Sequence, residues 1–200
     1  MGGRAGALIV FEGLDQSGKE TQASRLRARL EAAGHRVERL AFPDYTTPIA
    51  REVERALRGE RDYPPDVLQL LFVANRYEHR RQIGEWLESG VIVLCDRYLA
   101  SSVAYGEAQG LDPAWLVEVQ RFLPQPDLTV LVDIAPDTAV RRKAAGRDRF
   151  ERDRALQERV RASYLRQATQ ASWCRVDGER SEVEVAAEVA TIVRSRLALP

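Results

Sequence analysis

Three stretches of the chain carry residue types at spacings that suit phosphate chemistry. The first is "GLDQSGKETQ", residues 13–22. Gly13, Gly18 and Lys19 fall on the phosphate-loop pattern G-x-x-x-x-G-K-[ST]. Glycines there let backbone N–H groups turn toward phosphate oxygens, and the helix that follows offers its positive end. Leu14, Asp15, Gln16 and Ser17 complete the loop, and Lys19 can reach the terminal phosphates where charge develops. Glu20 departs from the pattern, because a Ser or Thr hydroxyl normally helps to hold magnesium at that position. A carboxylate about 4 Å from a phosphate charge is repelled by about 4 kcal/mol at an effective dielectric near 20. An interposed magnesium turns that repulsion into attraction, so Glu20 is expected to face the metal, through a bound water, or solvent. Thr21 points about 100° away on a helix and cannot simply replace the missing hydroxyl.

The second stretch is "DRYLASSVAYGE" (96–107). Asp96 can hold a hydrated magnesium, and Arg97 can bridge donor and acceptor phosphates. An isolated Asp-Arg after a strand reads equally well as a surface ion pair, but Ser101, Ser102 and Tyr105 follow at fixed spacing. The third is "RRKAAGRDRFERDR" (141–154), which composition alone makes a charged surface loop.

These stretches must be held by an alternating fold. "ALIVFEG", "HRVERLAF", "VIVLCD" and "DLTVLVDI" read as strands, and "SWCRVD" as a weaker fifth. Helical patterns lie between them, at 19–33, 49–58, 66–88, 112–122, 136–145 and 154–171, with a last one from about 181. Such alternation predicts one α/β domain over residues 1–200, a parallel sheet covered on both faces. In open sheets of this kind ligands sit beyond the carboxyl ends of the strands. The text after each of the first four strands tests that rule: the phosphate loop, then "FPDY", "DRY" and "DIAPD". Polar and aromatic chemistry collects at one edge.

Composition narrows the classes further. The 200 residues are 44% hydrophobic and 30% charged, with 30 basic and 30 acidic side chains. A balanced charge gives no ground for nucleic acid or a membrane surface as partner. Cys95, Cys174, His35 and His79 have no metal-ligand spacing. The apolar runs are too short to span a bilayer. "MGGRAG" lacks a signal-peptide apolar region and has Gly6 where myristoylation wants Ser or Thr. The expectation is a cytoplasmic protein.

Taken together, "FEGLDQSGKETQ", "FPDY", "LLFVANRYEH", "DRYLASSVAY", "PDLTVLVDI" and "DRFERD" resemble the thymidylate kinases, almost end to end. The resemblance implies a three-layer P-loop kinase fold with sheet order 2-3-1-4-5 and a mobile lid at about 143–153. It implies transfer of the ATP γ-phosphoryl to dTMP, giving dTDP, with Mg²⁺ and in a homodimer. By it, Asp15 sits near the acceptor phosphate and the sugar and joins Asp96 and Glu20 as a metal candidate. Phe72 would stack on thymine and Arg76 would hydrogen-bond the base, with Phe42, Pro43, Ser101, Ser102 and Phe150 lining the pocket. Tyr105 would crowd the sugar 2′ position. Tyr45 falls where many relatives place a phosphate-holding arginine. Arg141, Arg142, Arg147 and Arg149 become candidates for phosphate or adenine contact, Arg147 and Arg149 as catalytic groups beside Asp15, Lys19 and Arg97. Gly106 replaces a polar residue usual after the tyrosine. By periodicity alone, Phe72 on "VLQLLFVANRY" reads as core packing, and Arg76 as an ordinary solvated face. Two other readings stay open on the residues: a deoxynucleoside kinase, and a nucleotide-binding regulator without catalysis.

Overall fold

The computed structural model describes residues 6–143 and 148–199, with Arg149 described in its backbone only. Five parallel strands, β1 (Leu8–Glu12), β2 (Val37–Ala41), β3 (Ile92–Asp96), β4 (Leu128–Asp133) and β5 (Trp173–Asp177), form one sheet in the order β2-β3-β1-β4-β5. The expected order holds. β1 is buried along its whole length, as a strand covered on both faces must be. Its side chains alternate between two cores. Ile9 and Phe11 pack with Leu26 and Leu30 of α1 (Lys19–Ala32) and with Val185, Val189 and Val193 of α10 (Glu182–Leu197). Leu8 and Val10 face Ile83 and Leu87 of α4 (Arg80–Glu88). A further cluster joins α5 (Leu99–Ala108) to α9 (Arg154–Gln167) through Ala104, Tyr105, Val160 and Tyr164.

Several elements differ from the expected ones. The single helix over 66–88 is two, α3 (Pro65–Glu78) and α4, separated at His79. There the His79 ring meets Phe42 edge-on at 5.5 Å, and its Nε2 lies 3.1 Å from Asp44. The break therefore ties the "FPDY" segment to the helix pair. "DRYLASSVAYGE", read for its chemistry and given no element, contains α5. The helix expected over 112–122 is short, α6 (Pro113–Glu118), and the one over 136–145 is α7 (Pro136–Arg142). Within the expected lid, Asp148 and Glu151 form a reciprocal capping box that starts a four-residue helix, α8 (Arg149–Arg152). α2 (Pro48–Leu57) begins at Thr47, whose hydroxyl caps the Ala50 N–H. Among the described residues no helix is long and apolar enough to cross a membrane.

Candidate active site

The carboxyl ends of β1, β2, β3 and β5 open on one cleft of about 810 Å³, at the large end for a small-molecule site. The phosphate loop forms its floor. Gly13 has φ 142, and a Cβ there would meet the Val132 carbonyl oxygen at 2.4 Å. Gly18, with φ 96, stands at the N-cap of α1. Lys19 is buried and donates to the Leu14 carbonyl at 2.7 Å, folding back over its own loop. Burial lowers its pKa to about 8, helped by Arg97 and opposed by Asp96 and Asp15.

That value predicts a pH dependence. Bound phosphates favour the ammonium and raise its pKa, so their attraction is complete below about pH 8. It is lost as pH rises from there toward the higher pKa of the complex. ATP affinity measured by titration should therefore weaken roughly tenfold between pH 7.5 and 9. A Lys19→Arg variant, charged throughout, should show no such fall. Identical profiles for the two proteins would contradict the assignment.

Beside the loop, Arg97 has φ 64, strained for a non-glycine residue. Its Nη2 donates to Asp15 Oδ1 at 2.8 Å, and Nη1 to the hydroxyls of Ser101 and Tyr164. Tyr105 donates to the other Asp15 oxygen at 3.2 Å. Burial alone would raise the Asp15 pKa, but Arg97 and Lys19 outweigh it and hold the carboxyl down to about 2. Burial works against the Arg97 charge, yet Asp15 pushes its pKa up overall. Both groups are ionised at neutral pH. Asp96 completes the edge: its Oδ1 is buried and has no hydrogen-bond partner.

The side of the cleft along α3 is apolar with a buried cation. Phe72 is partly buried against the cluster that includes Leu68, Ala104 and Tyr105 and also lines the cleft, so packing and ligand contact are compatible. Arg76 is 2% exposed, not solvated, and donates to Ser102 Oγ at 2.7 Å and to Gln120 Oε1 at 3.2 Å. Burial lowers its pKa to about 10, so it stays a cation at neutral pH. Phe42, Pro43 and Tyr45 line the same space. Phe150 packs on Tyr105 with ring centroids 5.5 Å apart.

Two partners escaped the sequence. Glu12 is fully buried and accepts from the Tyr98 and Ser101 N–H groups, the Ser101 hydroxyl and the Tyr164 hydroxyl. It anchors the first turn of α5 and so fixes the turn that carries Arg97. A carboxylate closing an apolar strand run was its only signal. The segment 178–182 was also missed, although Gly178, Arg180, Ser181 and Glu182 line the cleft beside the phosphate loop.

The thymidylate kinase family model matches residues 11–189. The chain belongs to the thymidylate kinase family. It is 38% identical to the thymidylate kinase of Homo sapiens over 184 residues, 90% of this chain and 86% of that one. It is 37% identical to a probable thymidylate kinase of Pyrococcus abyssi over 202 residues, 96% of this chain and 98% of that one. The solved thymidylate kinase structure from Candida albicans superposes with a TM-score of 0.83 at 29% identity, covering 98% of this chain and 93% of that one.

Within this family member, some expected site residues sit elsewhere. Arg141 turns back to the Thr138 hydroxyl at 2.5 Å and does not line the cleft. Its neighbour Arg142 does, donating to the carbonyls of Gln16 at 3.1 Å and Gly178 at 2.8 Å. Consecutive helical residues point about 100° apart, so only one of the two can face inward. Asp133, the last residue of β4 and the first of "DIAPD", lies outside the cleft and is held by Arg161 and Arg175. Arg147 lies outside the described residues, as does the Arg149 side chain.

Glu20 borders the cleft, but its carboxylate pairs with Arg39 at 3.2 Å and its side chain is 77% exposed. Arg39 also donates to Ser24 at 2.8 Å. Arg39 thus gives the exposed Glu20 carboxylate a countercharge from within the protein. Arg39→Ala should then raise the ATP KM by about twofold to fivefold, since one exposed pair is worth about 1 kcal/mol at most. In a Glu20→Thr background, which should itself retain activity, Arg39→Ala should change nothing. Equal effects in both backgrounds would contradict this.

Proposed function

We infer that this chain transfers the γ-phosphoryl group of ATP to dTMP, giving dTDP, with Mg²⁺ as cofactor. The observation that carries the reading is the union in one cleft of a phosphate loop with its lysine, the Asp15–Arg97 pair, and an apolar pocket holding Arg76. Phosphoryl transfer depends mainly on positioning and charge, and these groups supply both. Lys19 would leave the Leu14 carbonyl for the terminal phosphates, Arg97 would span donor and acceptor, and Arg142 with the 178–182 segment would receive the adenosine half. Phe72 would stack on thymine, Arg76 would donate to its rim, and Tyr105 would crowd a ribose 2′-hydroxyl. Lid arginines Arg147 and Arg149 remain proposed contributors of charge.

The residues present fit a magnesium ion. Mg²⁺ takes one or two carboxylates, keeps several waters and binds substrate phosphates in preference to all-protein cages. Asp96, with its unpartnered buried oxygen, would hold it. Asp15 is occupied by Arg97 and Tyr105, and Glu20 reaches the ion only by exchanging Arg39 for it. When bound, the ion would neutralise charge on the phosphate oxygens.

The proposal includes a cytoplasmic homodimer. Support comes from two free cysteines and from exposed apolar side chains, Leu70 on α3, Val117 on α6 and Phe122. A coupled ADP-release assay with dTMP, thymidine, dUMP, dCMP and dGMP tests the function. Turnover should be fastest with dTMP and much slower with dCMP and dGMP. Preference for thymidine would indicate a nucleoside kinase, and ADP release with none of them a binding protein.

A further inference from the structure

The mechanism above leaves unused a buried polar side chain on α3, the helix that carries Phe72 and Arg76. Gln69 is 1% exposed, lines the same cleft, and neither its Oε1 nor its Nε2 has a hydrogen-bond partner. Buried carboxamides almost always find partners in the fold or in water, so two orphan atoms on a residue that lines the cleft point to a ligand. The position adds to this. Gln69, Phe72 and Arg76 stand three and four residues apart on α3, a spacing that puts side chains on one helix face. Arg76 has an orphan of its own, because its Nε is buried without a partner. One face of α3 therefore presents an aromatic ring, a donor that cannot accept, and a carboxamide with acceptor and donor side by side.

A thymine ring matches that set. Its edge carries an N3–H donor flanked by the O2 and O4 acceptors. We propose that Gln69 is a base-reading residue: its Oε1 accepts the N3–H and its Nε2 donates to O2, while Arg76 donates to O4. The proposal rests on the acceptor being dTMP. Each orphan atom on α3 is satisfied, and the base's whole hydrogen-bonding edge is covered by one helix. Gln69 thus sets specificity at the ground state, through acceptor affinity, and takes no part in phosphoryl transfer.

The test is the N3 imino proton of bound dTMP, observed by NMR with ¹⁵N-labelled nucleotide on the wild type and on Gln69→Leu, with Gln69→Met as a second variant should the first not fold. In the wild type the imino signal should be sharp and protected from exchange with water. In the variants it should broaden or disappear, and the dTMP KM should rise about tenfold with kcat and ATP KM held within about threefold. An imino proton unprotected in the wild type, or equally protected in the variants, would overturn the proposal. So would a KM that does not move. The two readings fail separately: binding with a protected imino but no turnover removes the activity and keeps the Gln69 contact, whereas turnover without protection removes only the contact.

Discussion

Arg97→Ala should lower kcat by about 10³-fold or more, the scale of a transferring-phosphate arginine, while the ATP KM stays within about threefold. Arg97 is held for this work from several sides. Its backbone is at φ 64, its Nη2 is fixed by Asp15 at 2.8 Å, and its Nη1 by Ser101 and Tyr164. Glu12 in turn accepts from Ser101 and Tyr164, so the guanidinium is oriented before any nucleotide arrives. Preorganised charge of this kind stabilises the transition state without reorganisation. Removing it also leaves the Asp15 carboxylate without its paired cation. Arg97→Lys keeps a charge and loses the fork, so it should fall between wild type and alanine. Steady-state kinetics decide the matter. A loss below tenfold for alanine would make Arg97 a structural tie of α5 and no more.

Gly13→Ala should be strongly destabilising. The added methyl would meet the Val132 carbonyl at 2.4 Å, with Ser17 Oγ at 3.0 Å, and the backbone is at φ 142. The Ser17 hydroxyl can turn aside, but the Val132 carbonyl is strand backbone and cannot. Strain at such a φ costs about 1–3 kcal/mol and overpacking about as much again. For a chain of this size Tm should fall on the order of 10 °C. Gly18→Ala is the control, because its φ is 96 but nothing lies within 4 Å of a Cβ there. It should cost less by the clash alone. Equal Tm values for the two variants, by calorimetry, would show that the loop moves aside.

How much of this was legible depended on range. β1, β3 and β4 could be read directly because a parallel strand covered on both faces leaves an unbroken apolar run. The phosphate loop could be read because its glycines and lysine act through local backbone geometry. α5 was missed because "LASSVAYGEA" is small and buried nearly all round, so it shows no amphipathic period. The break at His79 has no glycine or proline to announce it, and depends on Phe42 and Asp44 from another segment. The same holds for the site. Asp15, Arg97 and Tyr105 stood out by motif, but the role of Glu12 exists only once Tyr98, Ser101 and Tyr164 surround it. Glu20 shows the limit from the other side. Its oddity was visible in the loop, yet the charge that answers it, Arg39, sits on β2, nineteen positions away in sequence.

The most direct test of the central claim follows the phosphoryl group itself. ATP labelled in its γ-phosphate, mixed with the protein, magnesium and dTMP, should lose that label to a new species, dTDP labelled in its β-phosphate. Label found as inorganic phosphate, or retained in ATP while dTMP is unchanged, would contradict the account.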